Sequence, residues 1–239
     1  MNDAGIYQIW VYLADTPLLW LTVTLAAFAA GDSLSARLGR NPLANPVMIA
    51  AGLLMALLAA TGTSYRTYFE GAQFVHFLLG PATVALGLPL WRNRAAVRRN
   101  LLPMCAALVA GSLTAIGSAV AIGWAFGAPR EILASLAAKS VTAPIAMALT
   151  DSIGGIPALA AVLVVLTGIL GSVIVTPLMN ALGITDYAAR GFAVGVASHG
   201  IGTARAFQVS EEAGTFAGIA MGLNGALTAL VFLFLPLLV

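Results

Sequence analysis

Charge is what this sequence has least of. Only 8% of its 239 residues are charged, while 60% are hydrophobic; a soluble domain carries about a quarter charged residues. Mean hydropathy is +0.97, which excludes a water-soluble globule of any fold. The windows 41–65, 71–91, 100–129, 152–185 and 213–239 hold no charge at all. About 20 apolar helical residues span ~30 Å of hydrocarbon, so each window is long enough to cross a lipid bilayer. Apolar–polar alternation is also missing: a continuous run such as Ala158 to Ser172 is not a membrane β-strand. Cys105 is the single cysteine, so no intrachain disulfide exists. His76, Cys105 and His199 are scattered and make no zinc site, and no cofactor motif survives inspection. A net charge of +2 builds no nucleic-acid surface. Met1-Asn2-Asp3 lacks the basic start of a signal peptide, so no cleaved leader is expected.

What is present is an all-α polytopic membrane protein. Thr16-Pro17 and Asn45-Pro46 each set a capping side chain before a proline at the first helical position. Spans are expected near 16–38, 45–63, 68–91, 100–127, 131–151, 154–182, 187–206 and 213–239. Segments 131–151 and 187–206 either cross or turn back inside the protein, which leaves six to eight crossings. Arg37 and Arg40 share one loop, and Arg92, Arg94, Arg98 and Arg99 another, together 6 of the 11 basic residues. Two crossings separate the loops, and basic loops stay cytoplasmic, so the N-terminus is expected outside. Gly80-Pro81-Ala82-Thr83-Val84-Ala85-Leu86 matches Ala143-Pro144-Ile145-Ala146-Met147-Ala148-Leu149 at proline, alanine and leucine. Interrupted helices in two halves, here about 16–98 and 99–239 of a single domain 1–239, suggest an inverted repeat around a transporter site. Chance similarity between apolar segments is the plainer alternative.

Ionisable and hydroxyl groups are expensive within apolar spans and need a partner or a role. Lys139, the only lysine, leads into Ser140-Val141-Thr142-Ala143-Pro144, and Asp151 follows one short helix later. Pro144 opens the backbone before it, and a half-helix starting there aims amides and a positive dipole end at an anion. The bland alternative is a structural Lys139–Asp151 pair. A second break is expected at Ser198-His199-Gly200-Ile201-Gly202-Thr203-Ala204-Arg205. Two glycines permit close backbone approach, and Ser198, His199, Thr203 and Arg205 supply donors for a carboxylate. His199 and Asp151 are the candidates for carrying a coupled proton. A buried neutral imidazole and an interfacial arginine are the competing readings. Asn224 in the last span is either helix glue or site lining. Gly191-x-x-x-Gly195 and Gly218-x-x-x-Gly222 fit close helix packing.

Enzyme motifs fail. Gly200-x-Gly202 follows no strand, and Arg205 stands where a dinucleotide fingerprint needs glycine. Ser198 and His199 are adjacent and cannot face each other on a helix as nucleophile and base.

Lys139-Ser140-Val141-Thr142-Ala143-Pro144-Ile145-Ala146, Gly154-Gly155-Ile156-Pro157 and Ala197-Ser198-His199-Gly200-Ile201-Gly202-Thr203-Ala204-Arg205-Ala206 resemble the LrgB/CidB family. Gly80 to Leu86 and Ala220-Met221-Gly222-Leu223-Asn224-Gly225 extend the resemblance, which covers the chain from about residue 20. The resemblance implies two functions. Bacterial members are named as holin-like or antiholin-like proteins that modulate murein hydrolase export and lysis, with a small LrgA/CidA-like membrane partner. Plastid relatives carry glycolate and glycerate, and bacterial pairs are implicated in pyruvate traffic. It also implies a bacterial cytoplasmic membrane. Homo-oligomerisation stays open. The intramembrane lysine, histidine and paired breaks favour the carrier of small monocarboxylates over the lesion-forming protein.

Overall fold

The computed structural model describes residues 17–78, 81, 84, 91, 92 and 94–234. All regular structure among them is helical. The chain forms two compact units, Met1–Ala85 and Leu86–Val239. Thr16, most of the Gly80 to Leu86 stretch and Asn93 lie outside the described residues.

The first unit holds α1 (Pro17–Arg37), a 3-10 turn (Pro42–Ala44), α2 (Pro46–Thr61) and α3 (Tyr65–Phe77). Asn45 caps α2 as its sequence demands, accepting from the Val47 amide at 2.8 Å beside Pro46. A Cβ on Gly31 would stand 2.7 Å from the Pro46 carbonyl, so only glycine lets α1 and α2 approach there. Fully buried Trp20 meets Tyr68 edge-on at 5.8 Å, and the Thr24 hydroxyl donates to the Tyr68 hydroxyl at 3.2 Å, which fastens α3 to α1. Arg40 in the turn after α1 pairs with Asp32 at 2.7 Å.

The second unit contains α4 (Arg94–Arg99), α5 (Leu101–Ala125), α6 (Arg130–Ala137), α7 (Ala143–Ser152), α8 (Pro157–Ala181), α9 (Tyr187–Val209) and α10 (Glu211–Phe234). Helices α1, α5, α8 and α10 are long and apolar enough to cross a membrane. The two ambiguous segments both turn back.

In the first, the Ser135 hydroxyl in the last turn of α6 accepts from the Ile156 amide at 2.9 Å, just beyond α7. A Cβ on Gly155 would lie 3.0 Å from Ala134 Cβ and 3.2 Å from the Glu131 carbonyl. Helices α6 and α7 are therefore the arms of a hairpin whose tip is 138–142. In the second, α9 is broken at His199, with φ 42° and ψ −134°. A Cβ on Gly202 would stand 3.0 Å from the Val194 carbonyl, whereas eight residues of straight helix separate groups by about 12 Å. Arg190 and Gly191 share a cleft with Arg205, Ala206 and Val209, which a straight helix would hold about 22 Å apart. So 187–198 and 200–209 are again two arms, with His199 at the tip.

Helix α8 tells which way the hairpins point. The first hairpin has its base at Ile156, where α8 begins; the second has its base beyond Ala181, where α8 ends. A 25-residue helix is about 37 Å long, so the two hairpins enter from opposite ends of the unit.

Glycine makes this packing close. Cβ atoms on Gly191 and Gly195 would strike the Ala213 and Ala217 carbonyls, so the first arm of α9 lies directly on the α10 backbone. The other expected motif needs correction at one of its glycines: Gly218 is buried, but Gly222 is exposed and a Cβ there would meet nothing within 4 Å. The spacing of Gly222 matches a packing motif, but no described helix lies against that residue.

Candidate functional site

The two tips meet deep in the second unit. Lys139 is half-buried at the first tip, and its ammonium donates to the Ser140 hydroxyl at 3.2 Å. It makes no ion pair among the described residues, where Arg40–Asp32 is the salt bridge. The structural Lys139–Asp151 pair is thus absent: Asp151 is exposed near the far end of α7, at the hairpin base. Thr142 is the N-cap residue of α7, yet its hydroxyl makes no capping bond, and Pro144 follows within the first turn with no amide of its own. The amino end of α7 therefore opens at the tip, next to the lysine.

At the second tip His199 is 4% exposed. Its Nε2 lies 2.8 Å from the Val164 carbonyl in α8. A carbonyl only accepts, so Nε2 carries the proton in this arrangement and Nδ1 is the nitrogen left to titrate. The Thr203 hydroxyl donates to the His199 carbonyl at 2.8 Å and touches Met221 Sδ at 4.0 Å. Two bonds thus hold a residue whose positive φ costs about 1–3 kcal/mol when the residue is not glycine. Cβ atoms on Gly168 and Gly171 would strike His199, Ile201 and Ser198, so α8 is stripped to its backbone where the tip lies against it. Buried Ser198 fills that contact, Gly200 has only Met221 near it, and Gly202 lets the returning arm pass.

Asn224 joins the tips. Its Nδ2 donates to the Ser140 carbonyl at 3.0 Å and the Val196 carbonyl at 3.1 Å, and its Oδ1 accepts from the Ser112 hydroxyl of α5.

The structure brings together Lys139, Ser140, Thr142, Pro144, Ser198, His199, Gly200, Gly202, Thr203 and Asn224 on two tips and the helix between them. It leaves Arg205 at the base of the second hairpin, where its guanidinium donates to Gln208 at 3.3 Å in a cleft shared with Arg190. Thr203 and Arg205, two residues apart, face different sides of one helix. Ser112 and the Val164 carbonyl had not been expected. A hydroxyl inside apolar α5 was a signal for the first; a backbone carbonyl carries none.

An apolar groove of about 450 Å³ runs between α5 and α9, walled by Ala107, Gly111 and Ala115 on one side and Ala189, Ala193 and Ala197 on the other. None of Lys139, Ser140, Thr142 and Thr203 lines it.

Comparison with known proteins fits this picture of a membrane-embedded bundle. Residues 24–238 match the LrgB-like family. The Bacillus subtilis (strain 168) protein YwbG is 33% identical over 184 residues, covering 77% of this chain and 82% of its own. YxaC of the same organism is 30% identical over 210 residues, 88% and 91% of the two chains. The holin-like protein CidB of Staphylococcus aureus (strain Mu50) is 28% identical over 230 residues, 95% and 98% of the two chains. No solved structure matches. With a family match from residue 24 to residue 238 and helices apolar enough to cross a bilayer, the chain belongs to the LrgB-like family of integral membrane proteins.

Proposed function

We propose that this protein carries small monocarboxylates of the glycolate, glycerate, pyruvate or lactate class across the bacterial cytoplasmic membrane, coupled to protons. One observation carries the reading: two opposed hairpin tips converge on a lysine that has no acidic partner among the described residues. An unpaired intramembrane ammonium is costly and calls for an anion. In this reading the substrate carboxylate binds Lys139 Nζ and the open amino end of α7, with Ser140 and Thr142 beside it. His199 takes up a proton at Nδ1 while Nε2 stays on the Val164 carbonyl, so the ring titrates without leaving its seat. Thr203 holds the backbone under that ring. Asp151 and Arg205 stand at the two hairpin bases, and in this reading they hand on protons and anions from there rather than at the tips.

The opposed hairpins also support an inverted repeat, 130–181 against 187–234, in place of halves divided near residue 98. The shorter helices and the hairpins account for the segments in the six-to-eight estimate that are not long crossings. Positive-inside counting puts the α4 end of the second unit in the cytoplasm: Arg92, Arg94, Arg98, Arg99, Arg190 and Arg205 lie there, against Arg130 at the other end. The same rule applied to Arg37 and Arg40 places the N-terminus outside. A separate LrgA/CidA-like partner, self-association and one working domain over the whole chain belong to this reading.

The test is uptake of labelled two- and three-carbon acids into proteoliposomes of the purified chain, with and without an LrgA/CidA-like protein. Lys139→Ala is expected to lower uptake about tenfold or more, and Lys139→Arg to rescue poorly, because a planar fork does not replace a compact ammonium. If both variants transport normally, Lys139 is structural and the reading is lost. Wild-type uptake should vary between about pH 5 and 8, and His199→Gln should flatten that dependence without abolishing binding.

A second reading rests on the relatives named holin-like protein CidB: a holin-like or antiholin-like regulator of murein hydrolase export and lysis. Leakage of a neutral dye from the same vesicles, independent of Lys139, would favour it.

A further inference from the structure

We propose that Asn224 is a positioning residue whose carboxamide clamps both hairpin tips at once and sets the geometry between them, without itself touching the substrate. The part of this that concerns transport rests on the carrier reading above; the clamp does not.

A carboxamide has two N–H donors and one oxygen acceptor. In Asn224 both donors are in use, one on each hairpin, and the oxygen already accepts the Ser112 hydroxyl. At 1% exposure the side chain offers no donor to a ligand. The carbonyls it serves are those that helix breaks release. Ser140 lies in the turn between α6 and α7, and Val196 stands three residues before His199, whose dihedrals interrupt the helical ladder. Buried carbonyls without a donor are costly, most of all where no water reaches them. Asn224 answers this for both breaks from the fourteenth position of the 24-residue α10. Ser112 then fixes the orientation of the amide, since a hydroxyl donating to Oδ1 turns Nδ2 toward the tips.

The consequence concerns motion. The hairpins come from opposite ends of the unit, so opening the site toward either side means withdrawing one tip. Each tip withdraws by giving up its own half of the amide while the other half stays bonded. Asn224 is therefore the shared latch between two otherwise separate elements, and losing it leaves the assembled site only partly populated. Apparent affinity falls by that fraction, whereas saturating substrate restores the assembled state, so KM rises and kcat is spared.

The experiment uses the full chain in a Cys105→Ser background with spin labels on exposed Met147 and Phe207, one on each hairpin. Wild type should give one narrow distance distribution. Asn224→Ala should broaden it at least about twofold, and Ser112→Ala, which leaves both carbonyl bonds, should stay narrower than Asn224→Ala. Asn224→Ser, smaller but still polar, accompanies it in case the alanine variant does not fold, and should also broaden the distribution. A distribution as narrow as wild type in the Asn224 variants overturns the clamp. Uptake of labelled glycolate and pyruvate is then compared: KM should rise about tenfold with kcat within about twofold. A loss of active protein at unchanged KM would make Asn224 a fold anchor and also sink the proposal. If wild type shows no uptake but the distances still broaden, the carrier reading falls and the clamp stands.

Discussion

At residue scale the second break turns on a conflict at His199. Its imidazole is anchored to Val164, but its backbone takes φ 42°, a conformation that glycine adopts freely and other residues resist. The ring bond and the strain can be separated by substitution. His199→Gly loses the ring and relieves the backbone; His199→Ala loses the ring and keeps the strain. His199→Gly should therefore be the more stable of the two, by about 1–2 kcal/mol. Thermal unfolding of the detergent-purified variants measures the order, and an alanine variant as stable as glycine would show that the backbone relaxes without cost. Much of this site was legible beforehand. An ionisable group beside glycines or a proline in an apolar run is costly wherever it sits, so Lys139 and His199 stood out by chemistry alone. The hydroxyl of Ser112 could be seen in the sequence but its partner could not, because α5 also carries Thr114 and Ser118 and such residues have many local uses, including bonds within their own helix.

At the scale of elements, close approach is carried by particular glycines and not by spacing. Gly191 and Gly195 lie on the α10 backbone, while Gly222, in the same kind of motif, faces open space. Gly195→Val should destabilise the unit by about 1–3 kcal/mol or more through overpacking against Ala217. Gly222→Ala should fall within about 0.5 kcal/mol of wild type or slightly above it, since alanine is the better helix former. The unfolding temperatures of both variants check this, and equal losses would mean that Gly222 packs against something after all. The same spacing is thus used at both glycines in α9 but only at buried Gly218 in α10. Only the neighbouring helix decides whether a glycine at that spacing is used.

For the whole molecule, the charge pattern makes a prediction about sidedness. Single cysteines at Ile184, at the base of the second hairpin, and at Ala128, beside the base of the first, should label from opposite sides of the membrane in a Cys105→Ser background, Ile184 from the cytoplasm. Labelling of both from one side would contradict opposed hairpins, and a reversed pattern would overturn the orientation.

The membrane environment, the helical class, the family and the two breaks were all determined by the sequence. Each follows from local quantities: apolar run length against bilayer thickness, the cost of charge in lipid, and the backbone limits of proline and glycine. Tertiary structure alone decided that 130–152 and 187–209 fold back on themselves, that they enter from opposite ends, and that Asn224 joins them. A run of about 20 apolar residues satisfies its backbone equally well crossing the bilayer or folding halfway in against other helices. Which happens depends on long-range contacts such as Ser135 with Ile156 and Asn224 with both tips. Those contacts join residues 21, 84 and 28 positions apart, beyond the reach of any local pattern.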